Sequence, residues 1–452
     1  MWGKIVDKEN LKKAFYKAKR HKGNKPSIQK IEENLDYYID KLYEDLISGN
    51  YKTSKYHTKV IYEPKERTIY MLPFYPDRIV HHAIMNVLEP IWDGLFIYDS
   101  YSCRKGKGQH KGSYRCLEFT KRYKYCLKCD FSKFYPSIVH EVLKKILRRK
   151  IKDKKLLKLL DEIIDSAYSF DDVELHKMLE GRGIICDETH HRNVPIGNYL
   201  SQWFGNLYLN ELDTLVKQEL KAVAYIRFCD DYLIFSDDID FLKYCDRTIV
   251  EFTENVLGLK LSKHEIFQTK QGVDFLGYRH FPSGYILVRK STAKRIKKRL
   301  KNIDKRVLKG RITVEKARAQ WASAKGWIGH ANAHNFSVYL KMEEIDEFLK
   351  EKENEIMKGV PKYLNTKEDY DYVKANFPRE VWEKFYRELL DTTHDWFFVK
   401  ELAEDEEGVV DDKHKVEENE GIKYQFEYKL NPQCKLKSLG YTIKEIENLL
   451  KE

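Results

Sequence analysis

The chain has 452 residues, of which 34% are charged, and its formal net charge is +11. This length is more than one domain needs and suits several subdomains with an appendage, while the positive charge favours a polyanionic partner over a basic protein that binds no nucleic acid. Apolar runs stop short of membrane-spanning length and the N-terminus lacks the apolar stretch of a signal peptide, so we expect a cytoplasmic protein with no membrane partner.

The first predicted elements are a helix and two extended segments. The helix is predicted over 27–49, with Ser27 as its N-cap, apolar residues at helical spacing and Gly49 as its end. The extended segments lie at about 56–63 and 68–73. The basic connection between them is typical of a solvated turn.

A helix over 73–93 and a basic loop over 99–112 follow. Arg78 near the start of the helix could reach a nucleic-acid phosphate. The loop, DSYSCRKGKGQHKG, combines glycines with basic residues, a composition that suits close contact with a nucleic-acid backbone, although a flexible charged loop would look similar. The candidate contacts in the loop are Arg104, Lys105 and Lys107.

A short strand that begins at Tyr125 ends at Asp130, in the segment YCLKCDFSKFYPSI. Its Cys126 and Cys129 form a lone CxxC, which without a second pair is typical of two small buried residues rather than a zinc site. All eight cysteines are therefore expected to be free thiols.

Residues Tyr225–Asp238, YIRFCDDYLIFSDD, predict a hairpin with Asp230 and Asp231 at or beside its tip. Two adjacent carboxylates repel each other and are costly to desolvate, and a divalent cation would offset that cost. An Asp-rich surface turn is the alternative, and Asp130 in a similar upstream segment argues against it. The three carboxylates could hold two Mg²⁺ ions around a nucleotide triphosphate.

Between these carboxylates, helices are predicted over 139–168 and from Ser201 onwards, with an irregular insertion over 170–192. Gly197 would let the backbone approach a nucleotide. After the hairpin, the window 289–311 holds twelve Lys and Arg and a single Asp. It predicts an amphipathic helix that grips a duplex through its phosphates, with a solvated helix as the alternative. The candidate contacts in this helix are Lys294, Arg295 and Lys298.

Taken in order, these motifs resemble those of reverse transcriptases. FCDD stands where the family has its YxDD box, Asp130 opens the preceding catalytic motif, and VDFLGYRH matches the motif that closes the palm. The resemblance covers about the first three-quarters of the chain and implies an α+β right-hand polymerase. The implied domains are 1–115 for the N-terminal region and fingers, 116–285 for the palm with a fingers-like insertion at about 139–192, 286–345 for the helical thumb, and 346–452 for a small C-terminal extension.

The resemblance also assigns roles to individual residues. Asp130 and Asp230 are expected to bind two Mg²⁺ ions, with Mn²⁺ as the alternative cation, while Asp231 supports them and Phe131 belongs to the metal-binding set. Tyr135 is expected to disfavour a ribonucleotide 2′-OH, although ordinary core packing is an alternative. The other nucleotide-binding candidates are Lys65, Arg67, Ile196, Gly197, Gln202 and Lys263, with Lys260 as the alternative to Lys263.

Ile196-Gly197 and Ser201-Gln202 depart from the Gln-Gly and Ser-Pro that group II intron and retroviral enzymes usually carry. This departure looks like the diversity-generating retroelement branch. A glutamine before the glycine would hydrogen-bond the nucleotide or its neighbours, and Ile196 cannot, so the site is expected to be less discriminating. The resemblance to the retroelement branch implies that the errors occur opposite template adenines. Two alternatives stay open: an antiphage-defence reverse transcriptase of the unknown group, which makes cDNA from a noncoding RNA, and a catalytically silent RNA-binding protein on the same fold.

The expected partners are a template RNA or noncoding RNA, a primer, the cDNA product and dNTPs. Residues 401–421 hold ten acids and two lysines, which predicts a solvated linker or loop where a small basic accessory protein could dock. Residues Tyr424–Leu450 predict a small folded unit with a strand, FEYKL, and a helix, TIKEIENLL. No RNase H, endonuclease or integrase motif set is recognisable.

Overall fold

The computed structural model describes residues 1–20, 22–23, 25–62, 66–166, 173–184, 191–357, 367–376, 394–402, 414–419 and 422–430. The chain divides into two units, one formed by Met1–Lys298 with Ala324–Ser337 and the other by Arg299–Ser323 with Val338–Glu452. Among the described helices, none has both the length and the apolar character that crossing a membrane requires.

Four helices open the chain: α1 (Trp2–Val6), α2 (Lys8–Lys19), α3 (Pro26–Glu32) and α4 (Leu35–Ser48). The single helix predicted over 27–49 is therefore wrong, since Asn34 adopts non-helical φ −128° and ψ 39° between α3 and α4. The apolar spacing continues across this break, which is why the sequence did not indicate it. Ser27 is not the N-cap, because α3 begins at Pro26. Gly49 ends α4 in the left-handed conformation, as predicted.

The two predicted extended segments form an antiparallel hairpin of β1 (His57–Ile61) and β2 (Arg67–Met71). A π-helical turn, Phe74–Arg78, leads into α5 (Ile79–Asp93). Helix α5 packs against α2, and the side-chain amide of Asn10 donates a hydrogen bond to the Ala83 carbonyl at 3.1 Å.

A four-stranded antiparallel sheet lies at the centre of the first unit. Its strands, in spatial order, are β4 (Ala224–Phe228), β5 (Asp231–Ser236), β3 (Tyr125–Phe131) and β6 (Leu261–Gln268). Alternation along β3 and β5 divides their side chains between two cores. Leu127 and Ile234 belong to the larger core, and Cys126 and Leu233 to the smaller one.

Further helices of the first unit are α6 (Gln109–Arg122), α7 (Phe134–Ser137), α8 (His140–Lys150), α9 (Lys154–Asp165), α10 (Val173–Glu180), α11 (Tyr199–Thr214) and α12 (Ile239–Asn255). The helical region predicted over 139–168 is thus two helices, because Asp153 starts α9 by accepting a hydrogen bond from the Leu156 amide. Helix α11 begins at Tyr199, two residues before the predicted start.

The chain continues through a small antiparallel sheet of β7 (Val273–Phe275), β8 (Tyr278–His280) and β9 (Ile286–Val288). The helices that follow are α13 (Lys290–Leu300), α14 (Ile303–Leu308), α15 (Val314–Gly329), α16 (His334–Tyr339), α17 (Met342–Met357) and α18 (Lys367–Asn376). Within the second unit, Arg318 forms ion pairs with Asp346 and Glu353.

The second unit also contains a three-stranded antiparallel sheet. Its order is β10 (His394–Leu402), β12 (Ile422–Leu430) and β11 (His414–Asn419). The strand predicted at FEYKL is confirmed within β12, and the helix predicted at TIKEIENLL lies outside the described residues. The linker or loop predicted over 401–421 is wrong for 401–402 and 414–419, which pair with β12. Charge composition predicted solvation, but it carries no information on main-chain pairing.

Candidate active site

The predicted carboxylates come together at one end of the central sheet. Cys129 of β3 pairs with Tyr232 of β5, so Asp130 directly follows, and Asp231 directly precedes, the last pair of this ladder. The two carboxylates are near enough for Asp130 to raise the pKa of Asp231. Asp230 lies beside them in the two-residue turn between β4 and β5, after Cys229, whose φ is +54°.

Asp231 lies in an environment that disfavours its ionised form. Burial is the largest cause that raises its pKa, to about 7; Asp130 and Asp230 raise it further, and Lys128 and Arg289 oppose them. Its Oδ1 is buried and accepts no hydrogen bond from any described residue. A bound cation would satisfy this oxygen and favour the ionised carboxylate.

A metal ion would need ligands from outside the protein as well. Within the described ranges, no group of three or more His, Cys, Asp or Glu side chains is arranged to hold a metal ion. Mg²⁺ ordinarily takes one or two carboxylates together with substrate phosphate oxygens and water, so the pair Asp130 and Asp231 fits it better than a full protein cage would. Phe131 offers only main-chain atoms, because its ring is buried against Phe134 and Tyr232.

Tyr135 lies next to the turn between β4 and β5. Burial raises the pKa of Tyr135 well above its ordinary value, and Cys229, Cys103 and Asp230 raise it further. The ring packs over α11 at Gly205, where an added Cβ would lie 3.1 Å from Tyr135 Cε1. The ring is thus held in place beside Asp230.

In the structure, Gly197 makes a close contact within the protein, whereas the sequence predicted that its backbone approaches a nucleotide. A Cβ at this position would lie 2.7 Å from Ile69 Cγ2 and 2.9 Å from the Tyr70 carbonyl oxygen, and the Gly197 φ of +119° favours glycine. The Tyr70 amide also donates to the Ile196 carbonyl at 2.8 Å. The close approach is therefore to β2, which joins the β1–β2 hairpin to the Ile196-Gly197 segment.

Basic side chains surround the carboxylates from other segments. Lys263 is the register partner of Asp130 on β6, and it is exposed, as is Lys260. Arg182 was missed from the sequence: its Nη1 donates to the Ser132 hydroxyl at 3.3 Å, two residues beyond Asp130. The only signal for it was an arginine between two glycines. Arg67 is exposed at the start of β2, and Lys65 lies outside the described residues.

The predicted loop contacts do not share one environment. The guanidinium of Arg104 bonds Asp93 and the carbonyls of Ile97 and Ser100, and its side chain is 8% exposed. Arg104 therefore has a structural position, and the predicted phosphate contact is not supported. Lys105 is 86% exposed, beside Glu89.

Lys107 from the same loop lies 3.4 Å above the centre of the Tyr98 ring, a cation–π contact. Arg78 is half-buried and donates to the Leu72 carbonyl at 3.4 Å. On α13, Lys294 and Lys298 are exposed, while Arg295 lies 5.9 Å from the Trp327 ring. The exposed Lys105 and the α13 lysines are accordingly better candidates for phosphate contacts than Arg104 or Lys107, whose Nζ also donates to the Tyr98 carbonyl at 2.8 Å.

A buried polar network under the turn was not predicted. Arg227 is fully buried and forms a bidentate ion pair with Asp213, with distances of 2.7 and 2.6 Å. Its Nη1 also donates to the Cys229 carbonyl at 3.0 Å, and Tyr225 donates to Asp213 at 2.7 Å. This network fixes the backbone that carries Asp230.

Two thiols and a hydroxyl lie on the other side of the turn. Ser102 Oγ is 2.7 Å from Cys229 Sγ and 3.3 Å from Cys103 Sγ. Hydrogen bonding with Cys229 is the largest cause that lowers the pKa of Cys103, to about 6. Cys103 Sγ also donates to Gln202 Oε1 at 3.3 Å, so Gln202 lies beside these thiols.

Comparisons with known proteins agree on the family. A model for reverse transcriptase (RNA-dependent DNA polymerase) matches residues 11–280, which include all three carboxylates. Protein YkfC of Escherichia coli (strain K12) is 24% identical over 292 residues, 55% of this chain and 72% of YkfC. Nuclear intron maturase 1, mitochondrial, of Arabidopsis thaliana is 23% identical over 318 residues, 51% of this chain and 43% of the maturase.

Among solved structures, telomerase from Candida albicans in complex with a telomeric RNA fragment is similar at 13% identity and a TM-score of 0.37. The similarity covers 75% of this chain and 68% of that one. The family match and the mixed helices and sheets confirm the predicted α+β right-hand polymerase fold.

Proposed function

The chain belongs to the reverse transcriptase family of RNA-dependent DNA polymerases, and we propose that it copies a dedicated RNA template into cDNA at Asp130, Asp230 and Asp231. The observation that carries this proposal is the position of Asp130 and Asp231 at the same end of the β3–β5 ladder, with Asp231 Oδ1 buried and accepting no hydrogen bond from the described part of the chain. Two Mg²⁺ ions, when bound, stabilise the charge on the attacking and leaving oxygens of nucleotidyl transfer; Mn²⁺ is the alternative cation.

The other side chains position the substrates. Tyr135, held over Gly205, limits the space beside the nucleotide sugar. Lys263, Lys260 and Arg182 offset the charge of the triphosphate. The exposed lysines of α13 bind the phosphates of the template–primer duplex, where each contact contributes through release of counterions.

We further propose that synthesis is error-prone, as in diversity-generating retroelements. Ile196 is half-buried and its side chain cannot hydrogen-bond a nucleotide or its neighbours, so a mispair loses less binding free energy relative to a correct pair. The antiphage-defence role, with cDNA made from a noncoding RNA, is supported instead by the β10–β12–β11 sheet beyond the family match. Sequencing the cDNA made from one defined RNA distinguishes the two, because only the first requires errors concentrated opposite adenines.

The cytoplasmic location and the small basic accessory protein stay predictions. Deleting 401–421 would also remove the end of β10 and all of β11. Charge reversal by Glu417→Lys with Glu418→Lys is therefore the better test of docking, and unchanged co-purification of a partner would exclude this site.

The proposed site is tested by a pair of double variants at the two ends of β5. Asp230→Asn with Asp231→Asn removes two negative charges and almost no volume, so Mg²⁺-dependent incorporation on an RNA template is expected to disappear while RNA binding persists. The control is Asp237→Asn with Asp238→Asn at the other end of β5. Among the described residues, the carboxylates there accept only main-chain hydrogen bonds, from Lys124, Asp240 and Phe241, which asparagine also accepts. Substantial incorporation by the first variant would overturn the assignment.

A further inference from the structure

Cys103 and Cys229 form a pair of thiols beside the catalytic turn that nucleotidyl transfer does not use. Both sulfurs lie within hydrogen-bonding distance of Ser102 Oγ, although Cys229 is 127 residues further along the chain than Ser102. Cys103 is exposed and Cys229 half-buried. The other cysteines in the described ranges, Cys116, Cys126, Cys129 and Cys245, are 0% exposed.

The backbones that carry the two thiols are held together on both sides. The Tyr101 amide donates to the Arg227 carbonyl, and the Arg227 amide donates to the Asp99 carbonyl, each at 3.0 Å. The Asn206 side chain donates to the Ser102 carbonyl at 3.0 Å. The sulfurs are therefore kept near each other by the fold, and an oxidant in water can reach the exposed one.

We propose that Cys103 and Cys229 are a redox modification site at which hydrogen peroxide forms a reversible disulfide. The Cys103 sulfur attacks one peroxide oxygen and breaks the O–O bond, giving a sulfenic acid and one water. The Cys229 sulfur then attacks the Cys103 sulfur and releases a second water. Two thiols are oxidised by two electrons, peroxide is reduced to two waters, and a small dithiol restores both thiols by exchange.

The disulfide acts on polymerisation through Asp230, and this consequence rests on the proposed function. A disulfide brings the sulfurs to about 2.05 Å, much closer than two hydrogen-bonded thiols. Cys229 immediately precedes Asp230 in the turn, so the bond moves the carboxylate. It also removes the thiol hydrogen that Cys103 donates to Gln202. Because a displacement of about 1 Å at a reacting centre can lower a rate about 100-fold, we expect a loss of that order on oxidation.

The experiment treats the full-length protein with hydrogen peroxide and follows two signals. Non-reducing peptide mapping by mass spectrometry is expected to find the Cys103 and Cys229 peptides joined, with the loss of two hydrogens. Primer extension on an RNA template is expected to fall about 100-fold and to return after dithiothreitol. Cys103→Ser should keep its activity in peroxide, whereas Cys245→Ser, the control at a buried thiol on α12, should lose it as the wild type does.

Each outcome has a definite meaning. Absence of the joined peptide in wild-type protein, or inactivation of Cys103→Ser by the same peroxide dose, overturns the proposal. In Cys229→Ser, Cys103 should accumulate as a sulfenic acid that a cyclic 1,3-dione labels, and its failure to do so would overturn the order of the steps. The joined peptide is detected whether or not the protein polymerises. Failure of the proposed polymerase activity is therefore distinguishable from failure of the disulfide proposal.

Discussion

The turn between β4 and β5 and the basic helix α13 both depend on charge, but they use it in opposite ways. Under the turn, Arg227 and Asp213 are fully buried and make a bidentate pair. On α13, Lys294 and Lys298 are exposed to water. A buried ion pair holds the surrounding backbone in one geometry, and removing one partner leaves an uncompensated charge. Exposed charges act additively instead and are screened by salt. Substitutions should therefore have abrupt effects at the turn and graded effects on the helix.

The largest expected effect is at the buried pair. Arg227→Met leaves the Asp213 carboxyl group in the core without its ion-pair partner, and is expected to lower the free energy of unfolding by about 3–5 kcal/mol. Urea denaturation measures this loss. The exposed Arg247→Met is the matched control and should change the free energy by less than about 0.5 kcal/mol. Equal losses in the two variants would break the contrast between buried and exposed charge.

Tyr135→Ala should have the next largest effect, on the choice of sugar. Truncation opens the space that the ring fills above Gly205, so the ratio of ribonucleotide to deoxyribonucleotide incorporation is expected to rise on the order of 10- to 100-fold. Tyr135→Phe keeps the ring and should leave the ratio unchanged. If Tyr135→Ala also leaves it unchanged, the residue only packs.

A smaller effect is expected at Ile196. Ile196→Gln supplies a polar contact worth about 1–3 kcal/mol of discrimination when its loss leaves a buried group unpaired, so misincorporation opposite template adenines should fall. Sequencing cDNA from one RNA measures the change, with Ile196→Leu as the control. A wild-type enzyme as accurate as ordinary reverse transcriptases would refute the mutagenic role and favour the defence role.

The smallest effects are expected on α13. Lys294→Ala and Lys298→Ala should each weaken duplex binding only a few-fold and reduce the slope of log affinity against log salt by about one. Titrations at several salt concentrations measure this slope. Lys243→Ala on α12, whose lysine pairs with Asp240, should leave it unchanged. Complete loss of duplex binding on substitution of one α13 lysine would contradict the expected graded effect on this helix.

Local sequence patterns predicted where the carboxylates lie, but they did not predict contacts between residues far apart in the chain. The period-two apolar runs and the short turn sequence were sufficient for β3, for the β4–β5 hairpin and for the positions of Asp130 and Asp230. The pairing of Arg227 with Asp213 depends on the path of α11 into β4, and the approach of Ser102 to Cys229 joins positions 127 apart in the sequence. Neither leaves a periodic signal in sequence.

Two errors have the same origin. Apolar spacing continues through Asn34, so the break between α3 and α4 was not visible. Arg104 was assigned to a phosphate because its neighbours are basic, while its partners, Asp93 and the Ile97 and Ser100 carbonyls, become close only on folding. Composition indicates the kind of molecule that a segment binds, but it does not indicate which atoms one side chain contacts.

The most direct test asks whether a carboxylate of β3 and one of the β4–β5 turn act as one site. The measurement is Mg²⁺-dependent single-turnover incorporation on an RNA template by Asp130→Asn, Asp230→Asn and the variant with both changes. If the two share the metal ions, each single change should cost about 10³-fold and the double change about the same, since groups that act as a unit are not additive. A double variant about 10⁶-fold slower than wild type, the product of independent losses, would contradict a shared site.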